Sequence, residues 1–318
     1  MDGMLSRRTL LLAFAPRHRR LDDLERALGG NGSVSHNGRL VHSWSAQDQH
    51  FDWLSSAKPV LSTLLFFAIQ EGKATSIDQP VADFGWPLID KDRSMTLRHL
   101  ANMMSGYARP DAPGAAWAYN DYGIMLYQKT LFDRIFNQDP DQAANSRLAA
   151  LGLQDGLRFR PTNRRLSATV RDFARIAEFW LERGSAAGRQ LLPRRFFEQY
   201  CRPQTPRDLP HTAKASTNDY LGVGTYGGGS DHFTDFGAGI YGCNWWFNGT
   251  GRLHPLAKTW PSATARTFMS IGAGGNCAVM VPEKRLVLVC ARGQWGKHEP
   301  GNAGSATNQC IQILLNAL

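Results

Sequence analysis

The chain has 318 residues, of which 42% are hydrophobic and 20% charged, and its formal net charge is +9. This composition is typical of a globular protein with one large domain or two, and it excludes disordered, fibrous and membrane-spanning classes. Five arginines against one aspartate in the first twenty residues account for much of the positive charge. We interpret the remainder as a solvated surface, and we expect no nucleic-acid partner and no integral membrane segment.

The N-terminal segment is similar to a twin-arginine export signal. Arg7-Arg8 precede an apolar run over residues 10–15. This run is shorter than the roughly 7–15 apolar residues that a signal needs, and Pro16 follows it directly. We therefore interpret residues 1–20 as a basic arm or a degenerate leader, which favours a cytoplasmic location and leaves periplasmic export as the alternative.

Two local patterns predict how the folded part of the chain begins. Apolar residues recur at helical spacing over residues 21–28 and stop at Gly29-Gly30, which predicts a short helix. Asn37-Gly38 then lies between two β-type segments, residues 33–36 and 39–44. This dipeptide suits the left-handed positions of a type I′ turn, so the segment predicts a β-hairpin.

The segment over residues 52–72 predicts a buried helix with a nucleophile at its start. Ser55 and Lys58 are three residues apart, so the amine can reach the hydroxyl on the same helical face. A serine hydroxyl is a weak nucleophile until a neighbouring base takes its proton, and a lysine with a lowered pKa can be that base. Pro59 is tolerated only near a helix start, which places Ser55 at the positive end of the helix dipole.

The middle of the chain is predicted to be mostly helical. Thr96 can cap a helix that stops at Ser105-Gly106, and a second helix follows Tyr119. A third helix is predicted after the capping pattern at Thr169, with apolar residues at helical spacing up to Gly184.

The last third of the chain has the composition of strands and turns. Glycine, aromatic and β-branched residues predict strands over residues 220–229 and 239–250. Two apolar strands over residues 277–281 and 286–291, joined by a polar turn, and a helix over residues 306–318 complete the pattern. Gly222 to Gly227 matches the spacing of a dinucleotide-binding loop, but no apolar strand precedes it and no helix follows it, so we interpret this match as coincidental.

These elements predict an α+β fold, in which an antiparallel sheet is flanked by helices and carries a mostly helical inserted domain. The predicted sheet domain is discontinuous and comprises residues 21–90 and 206–318, and the helical domain comprises residues 91–205. The five cysteines are widely spaced and lack metal-type pairing, which indicates buried free thiols and no metal site.

Three segments in order carry motifs that can be compared with known families. The first is Ser55-x-x-Lys58. The second is Pro113 to Gly123, a Pro-Gly segment that leads into Tyr119-x-Asp121, and the third is the strand-like Phe268 to Gly275. Together they resemble the serine β-lactamase and penicillin-binding-protein superfamily, especially its class C-like esterase and amidase branch. Asp121 stands where that branch usually has asparagine, and Ser270 stands in the position of its lysine or histidine.

The resemblance implies a β-lactamase/transpeptidase-like fold and a serine hydrolase that uses no metal and no organic cofactor. By analogy, Ser55 attacks a carbonyl to form an acyl-enzyme, while Lys58 and Tyr119 move its proton. The backbone N–H groups of Ser55 and Ala273 would hold the oxyanion, because Ala273 follows Gly272, the glycine of the third motif.

The two departures from the family pattern modify these expectations. A carboxylate at Asp121 would favour the charged form of Lys58 and weaken it as a base, which makes Tyr119 the better candidate for proton transfer. Ser270 lacks the cation that can hold a substrate carboxylate, so we expect neutral esters or amides and weak or absent β-lactamase activity. The alternative is a positive charge supplied from elsewhere in the chain, by Arg164, Arg266 or Arg292.

Aromatic residues near the motifs, including Trp117 and Trp245, are candidates for a substrate pocket, although such residues more often belong to the core. A competing interpretation of the whole chain is a catalytically weak or inactive relative that binds peptidoglycan fragments or a protein partner. Asp121 and Ser270 support it. Nothing in the pattern specifies an oligomeric state.

Overall fold

The computed structural model describes residues 20–318. The strands are β1 (Asn31–His36), β2 (Arg39–Trp44), β3 (Phe51–Asp52), β4 (Arg158–Phe159), β5 (Leu166–Ala168), β6 (Ser185–Ala186), β7 (Arg189–Gln190), β8 (Tyr241–Gly242), β9 (Trp245–Phe247), β10 (Phe268–Gly272), β11 (Asn276–Val281) and β12 (Leu286–Ala291). The helices are α1 (20–28), α2 (Lys58–Gln70), α3 (Leu97–Ala101), α4 (Asp121–Lys129), α5 (Pro140–Leu148), α6 (Val170–Leu181), α7 (Arg194–Tyr200) and α8 (Ala306–Ala317). The arm or leader predicted over residues 1–20 lies almost entirely outside the described residues.

The main sheet is built from both ends of the chain. Its seven antiparallel strands have the order β2-β1-β12-β11-β10-β9-β8. The predicted α+β architecture with an antiparallel sheet is therefore confirmed. A small second sheet, with the order β3-β5-β4, joins the residues just before Ser55 to the segment around residues 158–168.

The hairpin and the two long C-terminal strands form as their local patterns predict. Asn37 and Gly38 have φ angles of 53° and 71°, the left-handed pair that a type I′ turn requires. Every residue of β11 and β12 is buried, which explains their continuous apolar runs. Helix α6 packs on β1, β11 and β12. The proposed boundaries at residues 91 and 205 stay a prediction.

Helix α2 is buried on all sides, as its sequence predicts. Its residues from Lys58 to Ala68 are all buried. The ring of Phe66 lies 5.6 Å from that of Phe197 on α7 and 6.4 Å from that of Trp245 on β9. The Trp180 indole on α6 donates a hydrogen bond of 2.9 Å to Thr63 Oγ1. Helix α2 therefore lies within the core, and its middle packs against α6, α7 and β9.

Two sequence predictions of secondary structure are wrong. Helix α3 ends at Ala101 and does not continue to Met104, because Met103 adopts a left-handed backbone with φ of 59°. Residues 220–229 form turns in place of a strand, because Gly222, Gly224 and Gly229 have φ angles of 61°, 80° and 134°. Positive φ angles of this kind interrupt a strand.

All five cysteines are free thiols, and four of them are buried. Within residues 20–318, no helix combines the length and the apolar character needed to cross a membrane.

Candidate active site

Ser55 lies in a strained turn at the start of the central helix. A 3₁₀ turn over Leu54–Ala57 runs directly into α2. Leu54 has a φ of 49°, which is uncommon for a residue with a side chain. Its N–H donates to Asp52 Oδ1 at 3.0 Å, and its carbonyl accepts from the Tyr226 hydroxyl at 2.7 Å. Strain of this kind persists where the surroundings hold it, so these two bonds fix the position of Ser55.

Lys58 brings the predicted catalytic residues together. Its Nζ lies 2.7 Å from Ser55 Oγ, 3.0 Å from the Tyr119 hydroxyl and 2.8 Å from Asp121 Oδ1. The Lys58 side chain has no exposed surface, and that of Asp121 is 3% exposed. The first two motifs of the sequence therefore form one buried polar cluster beneath the Ser55 hydroxyl.

Asn120 allows Asp121 to point into this cluster. Asn120 is the N-cap of α4: its Oδ1 accepts from the N–H groups of Tyr122 and Gly123 at 3.0 Å each. Its Nδ2 donates to the carbonyl of Tyr107 at 2.6 Å. Because Asn120 satisfies the orphan N–H groups of the helix start, the Asp121 carboxylate is available to pair with Lys58.

A glycine-rich turn encloses the other oxygen of Asp121. His232 Nε2 lies 2.9 Å from Asp121 Oδ2, and the N–H of Gly228 donates to the same oxygen at 2.5 Å. A Cβ on Gly228 would lie 2.3 Å from the His232 ring, so a side chain at this position would displace the ring from Asp121. The backbone of Asp121 is held as well, since its N–H donates to the carbonyl of Gly229 at 2.8 Å.

Charge and burial set the protonation states in the cluster. Burial lowers the pKa of the Lys58 ammonium, and this effect exceeds the opposing effect of the Asp121 carboxylate. Burial alone would raise the pKa of Asp121, but Lys58 and His232 outweigh it and hold this pKa well below its usual range. Burial and the Asp121 charge both raise the pKa of the Tyr119 phenol far above its usual value.

These directions bear on one expectation from the sequence. The sequence predicts that the Asp121 carboxylate favours the charged form of Lys58 and that Tyr119 is the better candidate for proton transfer. The pKa of Lys58 is lowered overall, whereas the Tyr119 phenol keeps its proton throughout the neutral range. Lys58 is therefore suited to accept a proton, and Tyr119 is suited to donate a hydrogen bond.

Gly272 lets the end of β10 approach the turn that carries Ser55. A Cβ on Gly272 would lie 2.7 Å from both Ser56 N and Trp53 O, so a side chain has no room there. Ala273 follows and is exposed. The close approach places the two predicted oxyanion donors, the N–H groups of Ser55 and Ala273, on adjacent backbone segments.

Three residues predicted to bind or support the substrate, Ser270, Trp117 and Trp245, are almost completely buried. Ser270 is fully buried in β10, and its hydroxyl has no hydrogen-bond partner in the described part of the chain. Trp245 is fully buried between α2, α6 and α7, which agrees with the core-packing interpretation of this residue. Trp117 is 1% exposed, and its ring lies 6.3 Å from that of Tyr119, so its place is a supporting one.

Of the three arginines considered as a substitute cation, two are already paired. Arg164 lies 2.8 Å from Asp133, and Arg266 lies 3.3 Å from Glu283. The Arg292 guanidinium lies over the Phe51 ring at 5.2 Å. Such ion pairs near the surface contribute little to stability. They nevertheless orient the guanidinium groups of Arg164 and Arg266 toward Asp133 and Glu283.

A cavity of about 540 Å³ lies beside the aromatic residues that surround Tyr119. Phe233 lines this cavity, and its ring is 5.3 Å from that of Tyr119. The remaining lining residues include charged, polar and small side chains: Asp235, Gly296, Lys297, His298, Glu299 and Pro300.

Three residues of the site carry no sequence pattern that singles them out, namely Tyr226, His232 and Asn276. Each acts across more than 100 positions of sequence: Tyr226 on Leu54, His232 on Asp121 and Asn276 on Asp52. The run Gly227-Gly228-Gly229 was the available signal, since adjacent glycines mark a place where backbone and side chains approach closely. In residues 20–318, the one grouping with metal-ligand geometry is Asp22, Glu25 and His42, and it includes no residue of this site.

Comparisons with known proteins show the family and the fold of the chain. The family model for beta-lactamase matches residues 19–302. The chain is similar to a putative beta-lactamase from Bacteroides dorei, with 15% identity over 95% of this chain and 99% of that one and a TM-score of 0.65. It is also similar to a penicillin-binding-protein homologue from Caulobacter crescentus, with 17% identity, coverage of 100% and 99%, and a TM-score of 0.63.

A third similar structure is a putative 6-aminohexanoate-dimer hydrolase from Bacillus anthracis, with 17% identity over 93% of this chain and 79% of that one and a TM-score of 0.60. A search of curated protein sequences found no match. At these identities the solved structures show the fold, whereas the family model spans most of the sequence. The chain belongs to the beta-lactamase family.

Proposed function

We propose that the protein is a serine hydrolase that cleaves ester or amide bonds of small neutral substrates through a covalent acyl-enzyme. The observation that carries this proposal is the 2.7 Å contact between Lys58 Nζ and Ser55 Oγ at the start of a buried helix. A hydroxyl held against a buried amine whose pKa is lowered is an activated nucleophile.

In the proposed reaction, the neutral amine of Lys58 takes the proton of Ser55 while the hydroxyl oxygen bonds to the substrate carbonyl carbon. The N–H groups of Ser55 and Ala273 hold the oxyanion that forms. When the carbonyl re-forms, the bond to the leaving group breaks, and the leaving group takes a proton from Lys58 or by way of the Tyr119 hydroxyl. Water then attacks the acyl-enzyme by the reverse sequence and releases the acid.

The substrate class follows from the charges around the site. Ser270 is buried and uncharged where relatives can carry a cation, and Arg164 and Arg266 are paired with carboxylates elsewhere. A substrate carboxylate would therefore find no charge-assisted partner at Ser270 or at these two arginines. We propose neutral acyl groups as substrates, and the cavity beside Phe233 as the place for part of the substrate.

The first experiment measures hydrolysis of p-nitrophenyl acetate by the wild-type protein and the Ser55→Ala variant. We expect Ser55→Ala to lose at least 1,000-fold in kcat/KM, an order of magnitude typical of nucleophile removal. Ser216→Ala, which changes an exposed serine, is the matched control and should keep full activity. Full activity of Ser55→Ala would overturn the assignment of the nucleophile.

A second experiment separates substrate classes. Turnover is compared on a neutral ester, a small neutral amide and a chromogenic cephalosporin that carries a carboxylate. We expect the neutral compounds to be preferred. Rapid cephalosporin turnover would contradict the proposed preference while leaving Ser55 as the nucleophile.

One observation favours a second candidate function, a binding protein without turnover. The Asp121 carboxylate lies 2.8 Å from Lys58, and a lysine held in its charged form cannot act as a base. The protein would then be a penicillin-binding-like protein that binds peptidoglycan fragments or a protein partner. A fluorophosphonate probe distinguishes the two, because only an activated serine is labelled: labelling lost in Ser55→Ala supports the hydrolase, and no labelling of the folded wild-type protein supports the binding function.

A further inference from the structure

A second cavity, of about 400 Å³, lies between α6, α7 and the start of β10. Trp180 on α6, Phe197 on α7 and Phe268 on β10 line it. Phe268 and Gly272 are the two ends of β10, so about 13 Å of extended chain separate this cavity from the glycine that meets the turn of Ser55. The cavity is therefore distinct from the candidate active site.

The wall of this cavity is largely aromatic. The side chains of Trp180, Phe197, Phe247 and Phe268 line it, and each of these residues is at least nine-tenths buried. The rings of Phe247 and Phe268 stack with their centroids 6.1 Å apart. Small-molecule sites are typically concave and apolar, and a volume of this size is at the lower end of their range. The hydrophobic effect therefore favours a small guest with an apolar body.

The polar side chains inside the cavity are already paired within the protein. Asn248 Nδ2 donates to the carbonyls of Ala263 and Thr264 at 3.2 Å and 2.9 Å, and its Oδ1 accepts from the N–H of Trp260 at 2.8 Å. The hydroxyl of Thr267 lies 2.8 Å from that of Thr264. The interior of the cavity therefore requires no polar partner from a ligand.

The mouth of the cavity carries an excess of positive charge. Three arginines and one glutamate are among its lining residues: Arg183, Arg202, Arg266 and Glu198. Arg183 lies 3.2 Å from Glu198, and Arg266 lies 3.3 Å from Glu283. Arg202 is exposed, and its Nε donates to a backbone carbonyl at 3.1 Å. Within residues 20–318, Arg202 is therefore the cation of this mouth that has no carboxylate partner.

We propose that this cavity binds a small monocarboxylate with an apolar body, whose carboxylate pairs with Arg202 and whose body contacts the aromatic wall. The planar guanidinium group matches the two oxygens of a carboxylate. One unpaired cation suits a ligand with one negative charge, and the aromatic wall disfavours a second charge farther inside. The site involves neither Ser55 nor Lys58, so it is independent of the proposed hydrolase function.

The first test needs no variant. The affinities of octanoate, octylamine and acetate for the wild-type protein are measured by isothermal titration calorimetry at neutral pH. We expect octanoate to bind roughly tenfold or more tightly than octylamine, which has the same chain with a positive charge, and than acetate, which lacks the chain. No binding of octanoate, or equal affinity for octanoate and octylamine, would overturn the proposal.

Two variants at exposed positions place the ligand in this cavity. Arg202→Gln removes the charge, and we expect the affinity for octanoate to fall about tenfold, as for loss of a hydrogen bond to a charged group. Ala265 is exposed and lines the cavity, so Ala265→Trp should fill it and abolish binding. Arg207→Gln, at an exposed arginine that does not line the cavity, is the matched control. Wild-type affinity in either Arg202→Gln or Ala265→Trp would overturn the proposal.

Inhibition kinetics separate this site from the catalytic one. Octanoate bound in the cavity should not compete with p-nitrophenyl acetate, and its affinity should be the same in Ser55→Ala. Competitive inhibition with a constant equal to the calorimetric Kd would place octanoate beside Ser55 and overturn the proposal. Full esterase activity of Ser55→Ala would instead overturn the assignment of the nucleophile and leave the carboxylate site standing.

Discussion

The side-chain amide of Asn276 donates a hydrogen bond of 3.1 Å to the backbone carbonyl of Asp52, across 224 positions of sequence. The same amide donates to the carbonyl of Ala273 at 2.9 Å. Asn276 is 3% exposed, and its Oδ1 accepts from the N–H of Arg292 at 3.1 Å. One buried side chain therefore ties the segment before Ser55 to the turn that supplies the second predicted oxyanion donor.

This bridge predicts that Asn276→Ala weakens transition-state binding. We expect kcat for p-nitrophenyl acetate to fall about tenfold or more with a small change in KM, because a displaced backbone donor affects the oxyanion and not the ground state. Asn302→Ala, at an exposed asparagine, is the control. An unchanged kcat in folded Asn276→Ala would show that Ala273 keeps its position without the bridge.

The pH dependence of the wild-type reaction should report the pKa of Lys58. The protonated amine cannot take the proton of Ser55, so kcat/KM should be lost as the pH falls through this pKa and restored above it. Burial lowers the pKa of Lys58, so the acid limb should lie below the ordinary lysine value of about 10.4. Asp121 stays ionised and Tyr119 stays protonated across this range, because their pKa values are lowered and raised respectively.

The profile is measured from pH 5 to pH 11 with initial rates on p-nitrophenyl acetate. An acid limb at the ordinary lysine value would contradict a buried neutral base. Lys258→Met, which removes an exposed lysine, should leave the profile unchanged.

Tyr119→Phe tests the hydroxyl separately from the ring. The Tyr119 ring stacks on Trp246 with centroids 5.8 Å apart, and phenylalanine keeps this packing. We expect kcat to fall about 100-fold, the lower range for loss of a proton-transfer group, with little change in melting temperature. Tyr122→Phe, at a half-buried tyrosine on α4, is the matched control. Equal activity of the two variants would remove Tyr119 from the reaction.

Gly272→Ala tests the close approach of β10 to the turn of Ser55. The added Cβ would lie 2.7 Å from Ser56 N and from Trp53 O, so the backbone of one segment must shift. We expect a loss of roughly 1–3 kcal/mol in the free energy of unfolding, together with a loss of esterase activity larger than this destabilisation explains. Gly249→Ala, whose Cβ would meet only Ile240 at 3.7 Å, is the control for thermal unfolding and activity.

Elements whose causes lie within a few residues could be predicted from the sequence. The Asn37-Gly38 turn and the helix cap at Thr169 each depend on neighbouring residues, and both form as predicted. Residues 220–229 show the limit of such reasoning. Their aromatic and β-branched residues favour a strand, but the chain turns at its glycines and closes around Asp121.

The same distinction between local and long-range causes applies to the candidate site. The spacing of Ser55 and Lys58 determined by itself that an amine lies within reach of a hydroxyl, since one helical turn separates them. That Tyr119 and Asp121 join them came from the order of the motifs. Only the tertiary structure decided three features of the site: the lowered pKa of Lys58, the contact of His232 with Asp121 and the bridge that Asn276 forms to Asp52. These features depend on burial and on contacts between segments more than 50 positions apart, and neither produces a periodic pattern in the sequence.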